Sequence, residues 1–351
     1  MQNFDAAHLA RFMGSLATLR CSPSPELRKA VTDRAVALKD KFDGKLASNL
    51  LWSLATLRTP LRQDLLAAMS MAALERPGRL GAKDITDFMW AIAATGNAMD
   101  SRLVAYMSQE AVRKVHFFQP RELSNLVWAL TKPASLASLS PELVTAFTAE
   151  VVKKSGSMNP QDISNFVWGL AKAGEKLEPA LVDAVCAQAL AKIGEFNAVS
   201  LSNVMWAFAA TQTMPSTELL RAFEGVALGL KDKFKPQNVS NLLWSMAMLK
   251  LTPDPELLNA MRAAALRQTG MGLYKALDVV QLTWALAMFK GKDESAELVV
   301  ALVPEALAVS VTLRNHEKAA LTWALNALDA PNNEELDLAL GRRKKGSKKL
   351  N

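Results

Sequence analysis

The phrase LSNVMWAFAA, from Leu201 to Ala210, recurs along the chain with few changes. Close copies are ASNLLWSLAT from Ala47, LSNLVWALTK from Leu123, ISNFVWGLAK from Ile163 and VSNLLWSMAM from Val239. All eight tryptophans lie on one lattice with intervals of 38–40 residues, at Trp52, Trp90, Trp128, Trp168, Trp206, Trp244, Trp284 and Trp323. Gly14, in FMGSLATLR, stands one period before Trp52 in LLWSLATLR. The sequence therefore contains nine repeats, the first without its tryptophan.

Each repeat reads as two helices. Counted from the tryptophan at position 0, apolar residues fall at −5, −2, −1, 0 and +2, which is helical spacing filled mainly with Ala, Leu and Met. A second helical stretch follows, opened by Pro, Ser or Asp and an early acid, as in SPELVTAFTAEVV and TPDPELLNAM. We name the two stretches helix A, which carries the tryptophan, and helix B. Residues 1–340 are predicted to form an all-α fold, an α-solenoid of about nine repeats, and residues 341–351 a disordered basic tail.

Composition narrows the function. The net charge is +7, but six of these charges lie in the last eleven residues, so the body is nearly neutral. Two distant cysteines predict neither a disulfide framework nor a zinc site. The three histidines, His8, His116 and His316, are isolated and the carboxylates are scattered, so we expect no enzyme, no cofactor and no small-molecule substrate. The apolar run 298–313 contains Pro304 and Glu305 and is expected to be too short to span a membrane.

The period and the pattern F-x-P-x-x-L-S-N-L-h-W-A-L-A, clearest at 118–130 and 234–246, resemble the octotricopeptide repeat proteins and their heptatricopeptide relatives. The resemblance covers residues 1–340. It implies single-stranded RNA (mRNA or rRNA) as the partner, with other proteins or an organellar ribosome besides, roughly one nucleotide per repeat, and a role in RNA stability, processing or translation. Many members end in a RAP domain, which is not recognisable here. The resemblance also implies a mitochondrial or chloroplast location. No Arg- and Ser-rich leader precedes the first repeat, so a cytoplasmic location is the alternative.

The tryptophan has two interpretations. It packs in the core between neighbouring helices, or it offers a platform on which a base stacks. Because apolar residues flank it on both sides, the core interpretation is favoured.

Ser at −4 and Asn at −3 recur intact in five repeats, as in Ser48-Asn49 and Ser202-Asn203. Asn disfavours helices, so its recurrence needs a reason: either an amide ladder joins successive helices, or the amides bind base edges. Because invariant residues cannot discriminate bases, the varying positions −7 and −6 are the better candidates for specificity. The RNA-binding candidates on the polar face of helix A are Lys45, Asn49, Lys83, Asp87, Arg121, Asn125, Gln161, Asn165, Asn203, Gln237, Asn241 and Gln281.

Basic residues cluster where helix B ends and the next helix A begins. They are candidate phosphate contacts, or they compensate the helix dipole. The edge candidates are Lys41, Arg79, Lys114, Lys154, Lys233 and Lys235; the tail candidates are Arg342, Arg343, Lys344 and Lys345. The competing functions are a protein-interaction scaffold and a ribosome-associated subunit that holds rRNA. On the concave surface, a basic rim over a neutral gutter favours RNA, whereas an apolar or acidic groove favours protein.

Overall fold

The computed structural model describes residues 3–132, 139–289 and 292–341, apart from the side chains of residues 292–294. The described chain is all-helical and forms an α-solenoid of helix pairs, which confirms the predicted fold class. The A helices are α1 (Ala6–Thr18), α3 (Gly44–Thr56), α5 (Ala82–Ala94), α7 (Pro120–Leu130), α9 (Pro160–Lys172), α11 (Ala198–Ala210), α13 (Pro236–Met248), α15 (Ala276–Met288) and α17 (Asn315–Ala327). The B helices are α2 (Pro25–Ala37), α4 (Gln63–Glu75), α6 (Ser101–Arg113), α8 (Pro141–Lys154), α10 (Pro179–Ala191), α12 (Thr217–Gly229), α14 (Pro255–Leu266), α16 (Lys292–Val309) and α18 (Glu334–Ala339).

The chain divides into two compact units, Met1–Val185 and Cys186–Asn351. In the first unit, helices α1, α3, α5, α7 and α9 pack side by side in chain order, and α2, α4, α6 and α8 do the same. In the second unit, α11, α13, α15 and α17 form one such row and α12, α14, α16 and α18 the other. Each unit is thus a row of A helices beside a row of B helices, as stacked repeats require.

Position −6 caps helix A. Its side chain accepts a hydrogen bond from the backbone N–H three residues earlier, as at Asp84 Oδ2 from Gly81 (2.9 Å) and Glu317 Oε2 from Arg314 (2.8 Å). Ser200 and Asn238 make the equivalent bond. Asp, Glu, Ser and Asn alternate here because each can fill a capping box. Variation at −6 thus reflects helix initiation.

Position +6 ends helix A in the left-handed backbone region. Gly96 and Gly174 hold it in two repeats, whereas Arg20, Arg58, Gln212, Lys250 and Asp329 hold it in others, with φ between 52° and 57°. The next backbone N–H then bonds back to position +2, as from Thr59 to Leu54 (2.9 Å) and from Asn97 to Ile92 (3.2 Å). This C-terminal motif satisfies the free carbonyls of the helix end and turns the chain toward helix B.

Small residues at +1 let neighbouring A helices approach closely. A Cβ atom on Gly169 of α9 would lie 2.6 Å from Val127 Cγ1 of α7, well inside van der Waals contact. Bulky residues ten positions before each tryptophan are buried, for example Phe42 and Phe118, which are 1% and 0% exposed. The shared period of small and large residues therefore fixes the spacing of the helices.

Among the described residues, one helical segment is long and apolar enough to cross a membrane: Ser295–Thr312, which comprises most of α16 and the 3-10 turn after it, and 44% of which is buried. The expectation that the apolar run is too short is therefore wrong as to length, because α16 extends it at its N-terminal end. Glu305 in this helix is buried and accepts a hydrogen bond from the backbone N–H of Gly270 at 2.7 Å. Helix α16 packs against α14, α15 and α18, as a core helix does.

Candidate nucleic-acid interface

The serine of the Ser-Asn pair is buried in all five repeats, and in two of them it donates a hydrogen bond to the next A helix, whereas Ser124, Ser164 and Ser202 donate to carbonyls of their own helices. Ser48 Oγ donates to the backbone carbonyl of Asp84 at 2.7 Å, and Ser240 Oγ donates to that of Asp278 at 2.9 Å. Both serines are fully buried. Thr86, which replaces serine in the third repeat, donates to the carbonyl of Glu122 at 3.3 Å. Position −4 therefore carries a buried hydroxyl with a structural bond, which joins two A helices at Ser48, Thr86 and Ser240.

The asparagine of the Ser-Asn pair reaches the surface of helix A in four repeats. Asn49, Asn125, Asn165 and Asn203 are half-buried, and within the described residues their side-chain amides form no hydrogen bond. These four amides therefore do not form the ladder between successive helices that was one of the two alternatives. An amide offers two donors and an acceptor site, so these four side chains present unused hydrogen-bonding groups at the surface.

Two members of the same position differ from this pattern. Asn241 and Gln281 are 5% and 6% exposed, and Oε1 of Gln281 has no hydrogen-bond partner. Asp87 replaces asparagine in the third repeat and forms an ion pair with Lys83. Burial raises the pKa of Asp87, and the ammonium of Lys83 opposes that shift. The candidates at −3 are thus accessible mainly in the first compact unit.

The tryptophans lie at the edge of the core and reach the surface. Those from Trp52 to Trp284 are half-buried, and Trp323 is 48% exposed. The core interpretation is therefore only partly right. Positions 0, −3 and −7 share one side of a helix, whereas −5, −2, −1 and +2 face the opposite side. We call the surface formed by positions −7, −3 and 0 the A-helix stripe.

Indole faces on the stripe have polar or aromatic neighbours. Lys83 Nζ lies 5.3 Å from the ring centroid of Trp52, which belongs to the preceding repeat. Lys132 Nζ lies 4.4 Å from the ring centroid of Trp128. In the second unit, Trp206 and Trp244 stack with their centroids 6.4 Å apart. Such rings combine an apolar face with attraction for cations and other π systems.

Position −7 is exposed in the eight repeats that carry the tryptophan, and its chemistry differs between the compact units. In the first unit it is occupied by Lys45, Lys83, Arg121 and Gln161. In the second unit it is occupied by Val199, Gln237, Leu277 and His316. Val199 and Leu277 are 51% and 48% exposed. Position −7 therefore carries three cations in the first unit, whereas in the second it carries no lysine or arginine and two of its four residues are apolar.

Two of the six edge candidates have partners within the protein. Lys114 Nζ donates to the carbonyl of Leu80 at 2.7 Å and to Glu110 Oε2 at 2.7 Å. Lys154 Nζ donates to the carbonyl of Phe118 at 2.7 Å and pairs with Glu150. These lysines lower the pKa of Glu110 and Glu150, respectively. They tie the end of helix B to the start of helix A in the same repeat, so the interface described here does not depend on them.

The other four edge candidates, Lys41, Arg79, Lys233 and Lys235, are exposed. Arg342, Arg343, Lys344 and Lys345 lie outside the described residues. Residues that the sequence did not single out also lie on this surface. Arg11 occupies position −3 of the first repeat and is exposed, and Lys132 lies over Trp128. The repeat alignment places Arg11 where other repeats have asparagine, which is the signal that could have identified it.

In the part of the chain that the structure describes, no group of three or more His, Cys, Asp and Glu side chains could hold a metal ion. Residues 78–350 match the model of a protein family described as RNA-editing substrate-binding complex 6 protein. The match covers more than half of the chain. A search of curated proteins finds no match. The resemblance to the octotricopeptide proteins stays one of repeat pattern.

Proposed function

We propose that this chain, which belongs to the RNA-editing substrate-binding complex 6 protein family, binds single-stranded RNA along the A-helix stripe of its first compact unit. One observation carries the proposal. Half-exposed indoles recur beside side chains at −3 and −7, which are unbonded amides in three repeats and cations in three. Aromatic platforms beside cations are how proteins hold unpaired strands, the bases stacking and the backbone meeting positive charge. The family name, which refers to RNA editing and substrate binding, supports this reading.

Lysine over an indole does not compete effectively with a base. An exposed cation–π contact contributes about 0.5–1 kcal/mol, whereas base stacking on an aromatic side chain contributes about 1–3 kcal/mol. A base can therefore take the face of Trp52, and Lys83, which is on a flexible stem, can move to the adjoining phosphate. The amide of Asn49 on the same stripe can bond to a base edge. Stacking, amide contact and charge thus act on one nucleotide.

The second compact unit favours a different ligand. Its stripe exposes Val199, Leu277 and Trp323, and Met288 beside it is 41% exposed. Phosphates gain nothing from such side chains, whereas apolar protein surfaces do. A second candidate function is therefore a docking surface for a protein, so that the chain connects an RNA strand to another component of a complex.

The proposal includes no catalytic step: the chain acts by binding, as a component of an RNA-handling assembly. We place this assembly in an organelle, in line with the repeat pattern. The particular RNA, whether mRNA or rRNA, is a matter for recovery of crosslinked RNA from cells.

The test is equilibrium binding of a short fluorescein-labelled single-stranded RNA, measured by anisotropy across a salt series. Arg121→Ala should raise Kd about three- to tenfold and reduce the slope of log K against log salt by about 0.7, the value for one phosphate contact on a single strand. Arg102→Ala is the matched control, because Arg102 is 71% exposed on α6 and paired with Asp100.

Leu277→Ala, at the same repeat position in the second unit, should leave the RNA affinity unchanged. Wild-type protein that binds no RNA at low salt would remove the proposed function. Equal losses from Arg121→Ala and Arg102→Ala would show that the charge contributes without any defined site.

A further inference from the structure

A cavity of about 520 Å³ opens on the A-helix stripe between α1 and α3 and extends to α5. Arg11 and Gly14 line it from α1, Lys45, Asn49 and Trp52 from α3, and Lys83 from α5. This volume lies within the range of pockets that hold small organic ligands.

The cavity has a specific origin in the repeat. Lys83, at position −7, lies over Trp52, which is at position 0 of the preceding repeat. Lys45 is the equivalent of Lys83 one repeat earlier, so its counterpart of Trp52 is residue 14. That residue is glycine. The first repeat therefore keeps the lysine and lacks the indole. A Cβ atom on Gly14 would meet Ser53 Oγ at 3.7 Å, an ordinary contact, so the backbone leaves room for a side chain there.

The groups around this space suit an aromatic ring that is joined to a negatively charged group. Among the described residues, neither Arg11 nor Lys45 forms a side-chain ion pair or hydrogen bond, and the amide of Asn49 has no partner. The acids nearby are engaged: Asp43 caps α3 through the backbone N–H of Leu46 at 2.8 Å, and Asp87 pairs with Lys83. Two cations that form no ion pair, an amide and an indole thus surround the slot, and the capping carboxylate of Asp43 also lies in its lining. In the other repeats an indole occupies the equivalent of position 14.

We propose that this slot takes one nucleotide of the RNA strand. The base enters the space that Gly14 leaves, facing Lys45 as Trp52 faces Lys83. The amide of Asn49 bonds to the base edge, and Arg11 and Lys45 bind the phosphate. This inference rests on the proposed function and adds a defined subsite to it. A free mononucleotide has the same chemistry, so the experiment separates the two sources.

The decisive variant is Gly14→Trp, which restores the repeat pattern and fills the slot with the protein's own indole. Gly225→Trp is the matched control: Gly225 is exposed on α12, and a Cβ atom there would meet nothing within 4 Å. Anisotropy of a short labelled single-stranded RNA should show Kd raised about tenfold by Gly14→Trp, the loss expected for one stacked base, and unchanged by Gly225→Trp. Thermal unfolding should show that Gly14→Trp is folded.

Calorimetry with AMP forms the second arm. AMP that binds much more weakly than the strand, and whose binding is lost in Gly14→Trp, supports the assignment. RNA affinity that is equal in wild type, Gly14→Trp and Gly225→Trp overturns it and leaves the proposed function standing. If AMP binding depends on Gly14 while RNA binding does not, the slot serves free nucleotides and the strand assignment is wrong. A wild-type protein that binds no RNA removes the proposed function itself.

Discussion

At the scale of single residues, the recurring Ser-Asn pair divides two tasks between neighbours. Ser48 is fully buried and bonds to the carbonyl of Asp84 in the next A helix at 2.7 Å. Asn49, the next residue, turns about 100° around the helix axis and keeps its amide unbonded on the stripe. In this repeat the first residue of the pair thus joins successive A helices, and we infer that the second contacts the ligand.

Substituting each member of the pair separates these tasks. Ser48→Ala should lower the free energy of unfolding by about 1 kcal/mol, the net contribution of one buried hydrogen bond, and leave RNA affinity unchanged. Asn49→Ala should leave stability within about 0.7 kcal/mol of wild type, on the stabilising side because Ala favours helix more than Asn does. It should raise the Kd for RNA about fivefold. Urea unfolding and RNA anisotropy measure the two effects; the reverse assignment would contradict the division.

The sequence indicated a polar face on helix A but not the part that each position plays in the structure. It left Ser and Asn as one unit because the two residues recur together in five repeats, and only the structure shows that Ser48 is buried while Asn49 is half-buried. It placed Trp52 and its equivalents in the core because position 0 lies next to the apolar side of helix A. A ring as large as indole reaches from that buried side to the solvent. Lys114 is basic like Arg79, and only the carbonyl that Lys114 meets distinguishes a structural lysine from an exposed arginine.

At the scale of elements, each A helix begins and ends by the same devices. A capping box starts it and a left-handed residue at +6 ends it. The starts could be predicted, because Pro and an acid announce them. The ends could be predicted only where glycine marks them, as at Gly96. Arg58 adopts the same backbone conformation without any residue-type signal, since the C-terminal hydrogen bonds of the helix impose it.

Gly96→Ala tests this helix end. Gly96 has φ 74° and a Cβ atom there would touch nothing within 4 Å, so the substitution changes backbone preference alone. It should lower the free energy of unfolding by about 1 kcal/mol. Gly225→Ala is the contrast, because Gly225 is an exposed residue inside α12 and alanine favours helix there by about 0.5–1 kcal/mol. Urea unfolding should show opposite signs, and a stabilising Gly96→Ala would refute the left-handed end.

At the scale of the whole molecule, the net charge conceals where the charge lies. The sequence places +6 of the +7 in the last eleven residues and makes the body look neutral. Folding separates the charges of this nearly neutral body. The stripe of the first compact unit carries Arg11, Lys45, Lys83 and Arg121, whereas the stripe of the second carries Val199 and Leu277. Composition cannot show this separation, because it appears only when residues 38 to 40 apart are brought onto one face.

The most direct test of the central claim is to crosslink wild-type protein to a short thiouridine-containing single-stranded RNA and map the modified residues by mass spectrometry. The stripe of the first compact unit should carry the crosslinks, at Trp52, Trp90 and Trp128 and the asparagines beside them, with few on the exposed faces of α4 and α6. Crosslinks concentrated on those B helices, or none on the A-helix stripe, would contradict the claim that this surface binds RNA.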